Sequence, residues 1–200
     1  MKNLVELKIG SCNRPHFTET CSGDLPFFTL RDHDLLLGLI DGLGHGKKAY
    51  DIAQNAKRVV ERQNRLNLEN LFNELHKELK QSNGAAAALA VIDLKSGKMH
   101  FSGVGNITAC VIGHKNRCFV SVNGILGRQE RSLLIQDEIL KDKDRVILAS
   151  DGVKSSFYLQ KKKLVFEGKT TRVANQVIDN YGKMQDDASC IVFEYEAWNI

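Results

Sequence analysis

Four aspartates lie where the chain should stop or turn sharply. Asp24 ends Ser22-Gly23-Asp24, Asp41 opens Asp41-Gly42-Leu43-Gly44-His45-Gly46, Asp151 sits in Ser150-Asp151-Gly152, and Asp186 opens Asp186-Asp187-Ala188-Ser189. In three of these four places a strongly apolar strand delivers the carboxylate to its end or departs just after it. Carboxylates gathered at strand ends repel one another unless a cation neutralises them. Mg²⁺ and Mn²⁺ take hard oxygen ligands of this kind. Glycine beside a ligand lets backbone carbonyls and water approach closely. Two such cations about 3.5–4 Å apart can share a water, lower its pKa and clamp an in-line phosphoryl displacement. Each motif has a plainer reading when taken singly. Asp-Gly is an ordinary turn, Asp186-Asp187 could be solvated surface, and Asp41–Gly46 could be a glycine-rich turn or anion nest before a helix. The ordered set of four carries the metal reading.

The elements that must hold these residues follow from hydrophobic periodicity. Residues 3–10 read as a strand. Residues 25–31 and 34–41 are rich in Phe and Leu and flank the polar turn Arg31-Asp32-His33-Asp34, which predicts a hairpin. Ala49, Ile52, Ala53, Ala56, Val59 and Val60 recur at helical spacing, as do Leu68, Leu71, Phe72, Leu75 and Leu79, before Ser82-Asn83-Gly84 stops the second run. Residues 85–149 change to short strands separated by turn signals, ending in the buried-type run RVILAS before Asp151. Residues 170–181 read as a helix, and SCIVFEY as a last strand. This order predicts an α+β fold in which helices cover antiparallel sheets.

The chain has 200 residues, 42% hydrophobic and 26% charged, so one domain over 1–200 with a real core is expected. A net charge of +4 is too weak to argue for nucleic acid. The densest basic run, Lys161-Lys162-Lys163, reads as a solvated loop or strand edge, with an acidic partner as the alternative. Cys12, Cys21, Cys110, Cys118 and Cys190 form no C-x-x-C pair and are odd in number, which predicts free thiols in a reducing cytoplasm. None sits in a Gly-rich anion loop, as a thiol phosphatase would need. The N-terminus lacks an apolar signal region, and the longest apolar stretch, Ala85 to Ile92, is too short to span a bilayer. A cytoplasmic protein with no membrane partner is therefore expected.

In order, SGD, DGLGHG, GVGNI, GILG, SDGV and DDASCIV resemble the successive motifs of the metal-dependent protein phosphatases, the PPM or protein phosphatase 2C superfamily. The DGxGHG variant is similar to the bacterial SpoIIE-like branch, and the similarity spans about residues 22–193. The resemblance implies an αββα sandwich of two antiparallel sheets, with Mn²⁺ or Mg²⁺, two ions, at one edge. It implies that Asp41 bridges both metals, that the Gly42 carbonyl ligates one, that Asp24 serves the second, and that Asp151 and Asp186 complete the first. Asp187 is left as an alternate ligand or a supporting group. The implied reaction is attack of metal-activated water on phosphoserine or phosphothreonine, without a covalent phosphoenzyme. The implied partners are phosphorylated STAS-domain proteins of the stressosome, with a monomeric enzyme resetting the stress signal.

Softer matches leave alternatives open. Gly105-Asn106 and the Gly124, Leu126, Gly127 element resemble turns near the site in this branch, with simple turn geometry as the other reading. His45 could act as a general acid or be a residue at a helix N-terminus. No arginine obviously matches the phosphate-binding arginine of eukaryotic relatives, although Arg14 is close by sequence. Ala188-Ser189 replaces the threonine and bulky residue common after the acidic pair. Two further functions compete with the active phosphatase. One is a pseudophosphatase that only binds, against which the full acidic set argues. The other is a related phosphatase in another sigma-factor partner-switching pathway, whose members usually carry added sensory or membrane domains.

Overall fold

The computed structural model describes residues 7–128, 132–159 and 166–197. Among these residues the chain runs β1 (Lys8–Arg14), β2 (Asp24–Arg31), β3 (Asp34–Gly42), α1 (Gly46–Glu61), α2 (Leu68–Leu79), β4 (Ala85–Asp93), β5 (Lys98–Val104), β6 (Thr108–Ile112), β7 (Arg117–Phe119), β8 (Gln136–Ile139), β9 (Arg145–Ala149), a 3₁₀ segment (Ser155–Leu159), α3 (Thr170–Tyr181) and β10 (Ala188–Glu194). One sheet has the order β1-β10-β9-β6-β7 and the other β2-β3-β4-β5-β8. Neighbouring strands within both sheets are antiparallel.

The β2–β3 hairpin sets the register on which the site depends. Its turn places Asp32 at φ 53, a left-handed conformation that Asp tolerates. Arg31 then faces Asp34, and counting back along both strands sets Asp24 opposite Asp41. A slip of one residue would turn every side chain of β2 to the other face, so the tight turn and the apolar pattern together fix this carboxylate pair.

Strands β3 and β4 are apolar on both faces because both faces are covered. Leu35, Leu37 and Leu39, with Ala86, Ala88, Ala90 and Ile92, point between the sheets, where they meet Val146, Leu148, Ile191 and Phe193. Leu36, Ile40, Ala87, Leu89 and Val91 point outward beneath the apolar stripes of α1 and α2. On the far side, Val173, Ala174, Val177 and Ile178 of α3 cover Ile147, Ala149, Cys190 and Val192. The result is four layers, helix–sheet–sheet–helix, the sandwich that the family resemblance implies. Helix α2 begins at Asn67, whose side chain accepts from the backbone N of Asn70 at 2.9 Å.

Several expectations are corrected. The first strand, placed over 3–10, runs from Lys8 to Arg14 among the described residues, carried on by pairing with β10. Strand β8, QDEI, is an edge strand with exposed positions and no apolar alternation to announce it. The five cysteines are not all free thiols: Cys110 and Cys118 face each other across β6 and β7 and form a disulfide, leaving Cys12, Cys21 and Cys190 free. The strand register brings that pair together, and neither the count nor the spacing of cysteines could reveal it. Lys161–Lys163 lies outside the described residues. Among the described residues no helix is long and apolar enough to cross a membrane.

Candidate active site

The four sequence-selected aspartates arrive at one edge of the sandwich from different strand ends. Asp24 opens β2 and Asp41 lies one residue from the end of β3. Asp151 follows β9 across Ser150, and Asp186 precedes β10 across Asp187. Because β2 and β3, like β9 and β10, run antiparallel, the start of one strand and the end of its neighbour meet at the same edge. Ser150 and Ser189 lock the second pair of ends: Ser150 N donates to the Ser189 carbonyl, and Ser189 N donates to Ser150 Oγ, both at 3.0 Å.

Close backbone packing explains two of the glycines beside these aspartates. A Cβ on Gly42 would lie 2.3 Å from the Ala49 carbonyl of α1. A Cβ on Gly152 would lie 1.8 Å from the Asp187 carbonyl. Any side chain at either position would push an aspartate-bearing turn away from its neighbour.

Asp41, Asp151 and Asp186 line a cleft of about 430 Å³ with Leu43, Gly44, Ala86, Gly105, Asn106, Asn123, Gly124 and Ile125. Asp24 lies beneath, 2% exposed, behind Asp41. Burial pushes the Asp41 carboxyl up to about 8, and the charges of Asp24, Asp151, Asp186 and Asp187 push in the same direction. Burial raises Asp24 to about 7; the neighbouring hydroxyls of Ser150 and Ser189 oppose the rise, and the charges of Asp187 and Asp151 add to it. Asp186 is also raised, by burial and then by Asp151, against the charge of Lys183. These groups destabilise one another's ionised forms, as expected of carboxylates that share a cation.

The donor chemistry fits a hard divalent ion. Oδ2 of Asp24 is buried without a hydrogen-bond partner among the described residues, and such an orphan oxygen is costly unless a proton or a cation satisfies it. Among the described residues, no group of three or more His, Cys, Asp or Glu side chains is closed into a ready-made coordination shell. The carboxylates gather around the cleft rather than chelate in advance.

Neighbouring residues divide between the cleft and its supports. Asn106 Nδ2 donates to Asp151 Oδ2 at 2.6 Å, so the Gly105-Asn106 turn bears directly on an acidic residue. Lys183, which no sequence signal marked, donates from Nζ to the Asp151 carbonyl at 2.6 Å and from its backbone N to the Gly152 carbonyl at 2.7 Å. Asn13 Nδ2 donates to the Asp24 carbonyl at 2.8 Å. Asp187 is buried and accepts from His16 N at 2.7 Å through Oδ1 and from Gly23 N at 2.8 Å through Oδ2.

The softer candidates separate in the same way. Gly124 lines the cleft, whereas Leu126 pairs with Ala85 of β4, and Gly127 donates to His76 Nδ1 on α2 at 3.2 Å. His45 is the N-cap of α1, but its ring makes no capping bond. Instead Nδ1 lies 2.9 Å from Glu19 Oε1, and the ring stacks on His16 at 5.5 Å. Arg14 donates from Nη2 to the Lys183 carbonyl at 2.9 Å. Among the described residues, those lining the cleft include neither arginine nor lysine.

The family model for Stage II sporulation protein E (SpoIIE) matches residues 31–196. Phosphoserine phosphatase RsbX of Bacillus subtilis (strain 168) is 22% identical over 133 residues, covering 66% of this chain and 67% of that protein. The structure of RsbX in complex with magnesium superposes with a TM-score of 0.81 at 18% identity, over 94% of this chain and 99% of that one. A chain solved in a study of the bacterial stressosome, described as a modular system adapted to control secondary messenger signalling, has a TM-score of 0.88 at 26% identity, over 94% and 99% of the two chains. The PP2C phosphatase domain of SpoIIE from Bacillus subtilis, solved with a fragment of its regulatory domain, has a TM-score of 0.84 at 17% identity, over 98% of this chain and 64% of that one. With a family match across most of its length and the same fold in each of these structures, this chain belongs to the SpoIIE family, the bacterial branch of the PPM protein serine/threonine phosphatases.

Proposed function

We propose that this chain is a single-domain, cytoplasmic phosphoserine/phosphothreonine protein phosphatase that works with two Mn²⁺ or Mg²⁺ ions and acts on phosphorylated STAS-domain proteins of a stressosome. The observation that carries the chemistry is the convergence of mutually repelling carboxylates at one place: Asp41, Asp151 and Asp186 on one open cleft, with Asp24 buried beneath them. Asp24, Asp41, the Gly42 carbonyl, Asp151 and Asp186 would hold the ions. A bound divalent cation supplies an activated water at neutral pH and neutralises charge on the phosphoryl oxygens.

The chain's own residues would do the rest. Asp41 and Asp24, opposite each other across the β2–β3 ladder, present two acidic side chains of fixed register. Asn106 fixes the rotation of the Asp151 carboxylate through its 2.6 Å hydrogen bond. Asn123 and Asn106 offer neutral amide donors along the cleft wall. Phosphate recognition would draw on these amides and the bound ions. Among the described residues no cysteine or serine lines the cleft as a nucleophile, in keeping with direct hydrolysis. The stressosome substrate is supported by the likeness to RsbX and to the chain from the stressosome study. Incubating the chain with a phosphorylated STAS-domain protein and following phosphate release with and without Mn²⁺ tests this reading. Turnover of simple phosphate esters but not of STAS phosphoproteins would retain the chemistry and reject the partner.

A further inference from the structure

Asp187 contacts the segments that carry Asp24, Asp151 and Asp186, and through Gly23 it is linked to the Gly42 turn, although it does not line the cleft itself. Its two carboxylate oxygens accept from the two ends of the β1–β2 loop, His16 N and Gly23 N, and Gly23 directly precedes Asp24. A Cβ on Gly23 would lie 3.2 Å from Asp187 Oδ2, 3.2 Å from the Gly42 carbonyl and 2.6 Å from the Ala49 Cβ, so the carboxylate, the Gly42 turn and α1 meet at that one residue. Gly23 O also accepts from Gly42 N at 3.1 Å. The Asp187 carbonyl packs on Gly152, beside Asp151. Asp186 is its chain neighbour.

We infer that Asp187 is a positioning residue, not a metal ligand: its carboxylate closes the β1–β2 loop and so sets Asp24 against Asp41, Gly42 and Asp151. This deepens the reading above and rests on it for the identity of the ligands. Orientation and reach decide this. Each oxygen already takes a backbone N–H at 2.7–2.8 Å, the Gly23 bond buried and the His16 bond part-buried, the charge-assisted geometry that locks a loop. Swinging the carboxylate toward a cation would break both ties and strand the buried Gly23 N–H. The acidic pair Asp186-Asp187 thus divides its labour, one carboxylate facing the cleft and the next facing the loop behind it.

Two variants test this. Asp187→Asn keeps the volume but sets an amide donor against one of the two backbone donors. His16→Pro removes one donor and leaves every carboxylate in place. For each, amide hydrogen exchange of residues 16–24 in the metal-free protein, Mn²⁺ affinity by calorimetry, and kcat at saturating Mn²⁺ are measured, with the thermal midpoint as a check on folding. Exchange in the loop should accelerate in both variants. Mn²⁺ affinity should fall about 10–100-fold in Asp187→Asn, the usual cost of losing a group that orients ligands, and less in His16→Pro. The kcat at saturating Mn²⁺ should stay within about threefold of wild type, because no ligand has been removed. A collapse of kcat in Asp187→Asn at saturating Mn²⁺, with loop exchange unchanged, would make Asp187 a ligand and overturn the inference. A fall in thermal midpoint with unchanged Mn²⁺ affinity would also overturn it, by reducing the residue to a fold support. The exchange and calorimetric readouts stand even if no phosphatase substrate is found.

Discussion

At the scale of single residues, the site is a set of carboxylates held in surroundings that disfavour their charge. Asp41 and Asp24 are raised to about 8 and about 7, chiefly by burial. A group with a raised folded pKa holds its proton in the folded state at pH values where the unfolded chain has released it. The metal-free protein should therefore lose stability as pH rises from the ordinary carboxylate range, about 4, through these raised values. Thermal midpoints of metal-free wild type and Asp41→Asn at about pH 5 and about pH 9 would check this. The wild type should fall relative to the variant at the higher pH, and Mn²⁺ should restore it. Parallel behaviour of the two proteins would count against mutual repulsion at the site. Asn106→Ala should lower kcat about tenfold or more with little change in thermal midpoint, since it removes an amide donor from the cleft wall as well as the bond that orients Asp151. Steady-state kinetics at saturating Mn²⁺ would read this out, and unchanged kcat would reduce Asn106 to a turn residue.

At the scale of elements, the site depends on strand ends that cannot drift. Gly152 lets the turn after β9 touch the turn before β10, with no room for a Cβ. Gly152→Ala should destabilise the fold by about 1–3 kcal/mol and weaken Mn²⁺ binding, because the two turns must separate. Denaturant unfolding and calorimetry together would show it, and a variant with native stability and affinity would contradict the packing argument. Asp24, Asp41 and Asp151 stand out in the sequence because each has a glycine beside it at the border of an apolar run, Asp186 because it opens an acidic pair before one, and the hairpin turn with its apolar pattern sets Asp24 opposite Asp41. Other features were not legible, because tertiary pairing decides them. Strand β8 has no alternating pattern and exists by lying along β5. The Cys110–Cys118 disulfide follows from the β6–β7 register. Lys183 and the two-ended grip of Asp187 join segments more than a hundred and sixty residues apart or tie one turn to another, which no local pattern encodes.

At the scale of the whole molecule, three apolar cores stack into four layers, and the acidic cleft opens at one edge of the central pair. Leu37 is fully buried between the sheets. Leu37→Ala should cost about 2–5 kcal/mol in denaturant unfolding, as the rigid double sheet cannot collapse around the gap. A cost under about 1 kcal/mol would mean that the inter-sheet core is looser than its burial indicates. The central claim is that the converging carboxylates make this chain a cation-dependent phosphoprotein phosphatase. The most direct measurement is phosphate release from a phosphoserine protein by wild type and by Asp41→Asn, with chelator and then with added Mn²⁺. Wild-type turnover should vanish with chelator and return with Mn²⁺, and Asp41→Asn should lose about a hundredfold or more while its fold persists. Turnover that survives the chelator, or wild-type turnover in Asp41→Asn, would contradict the central claim.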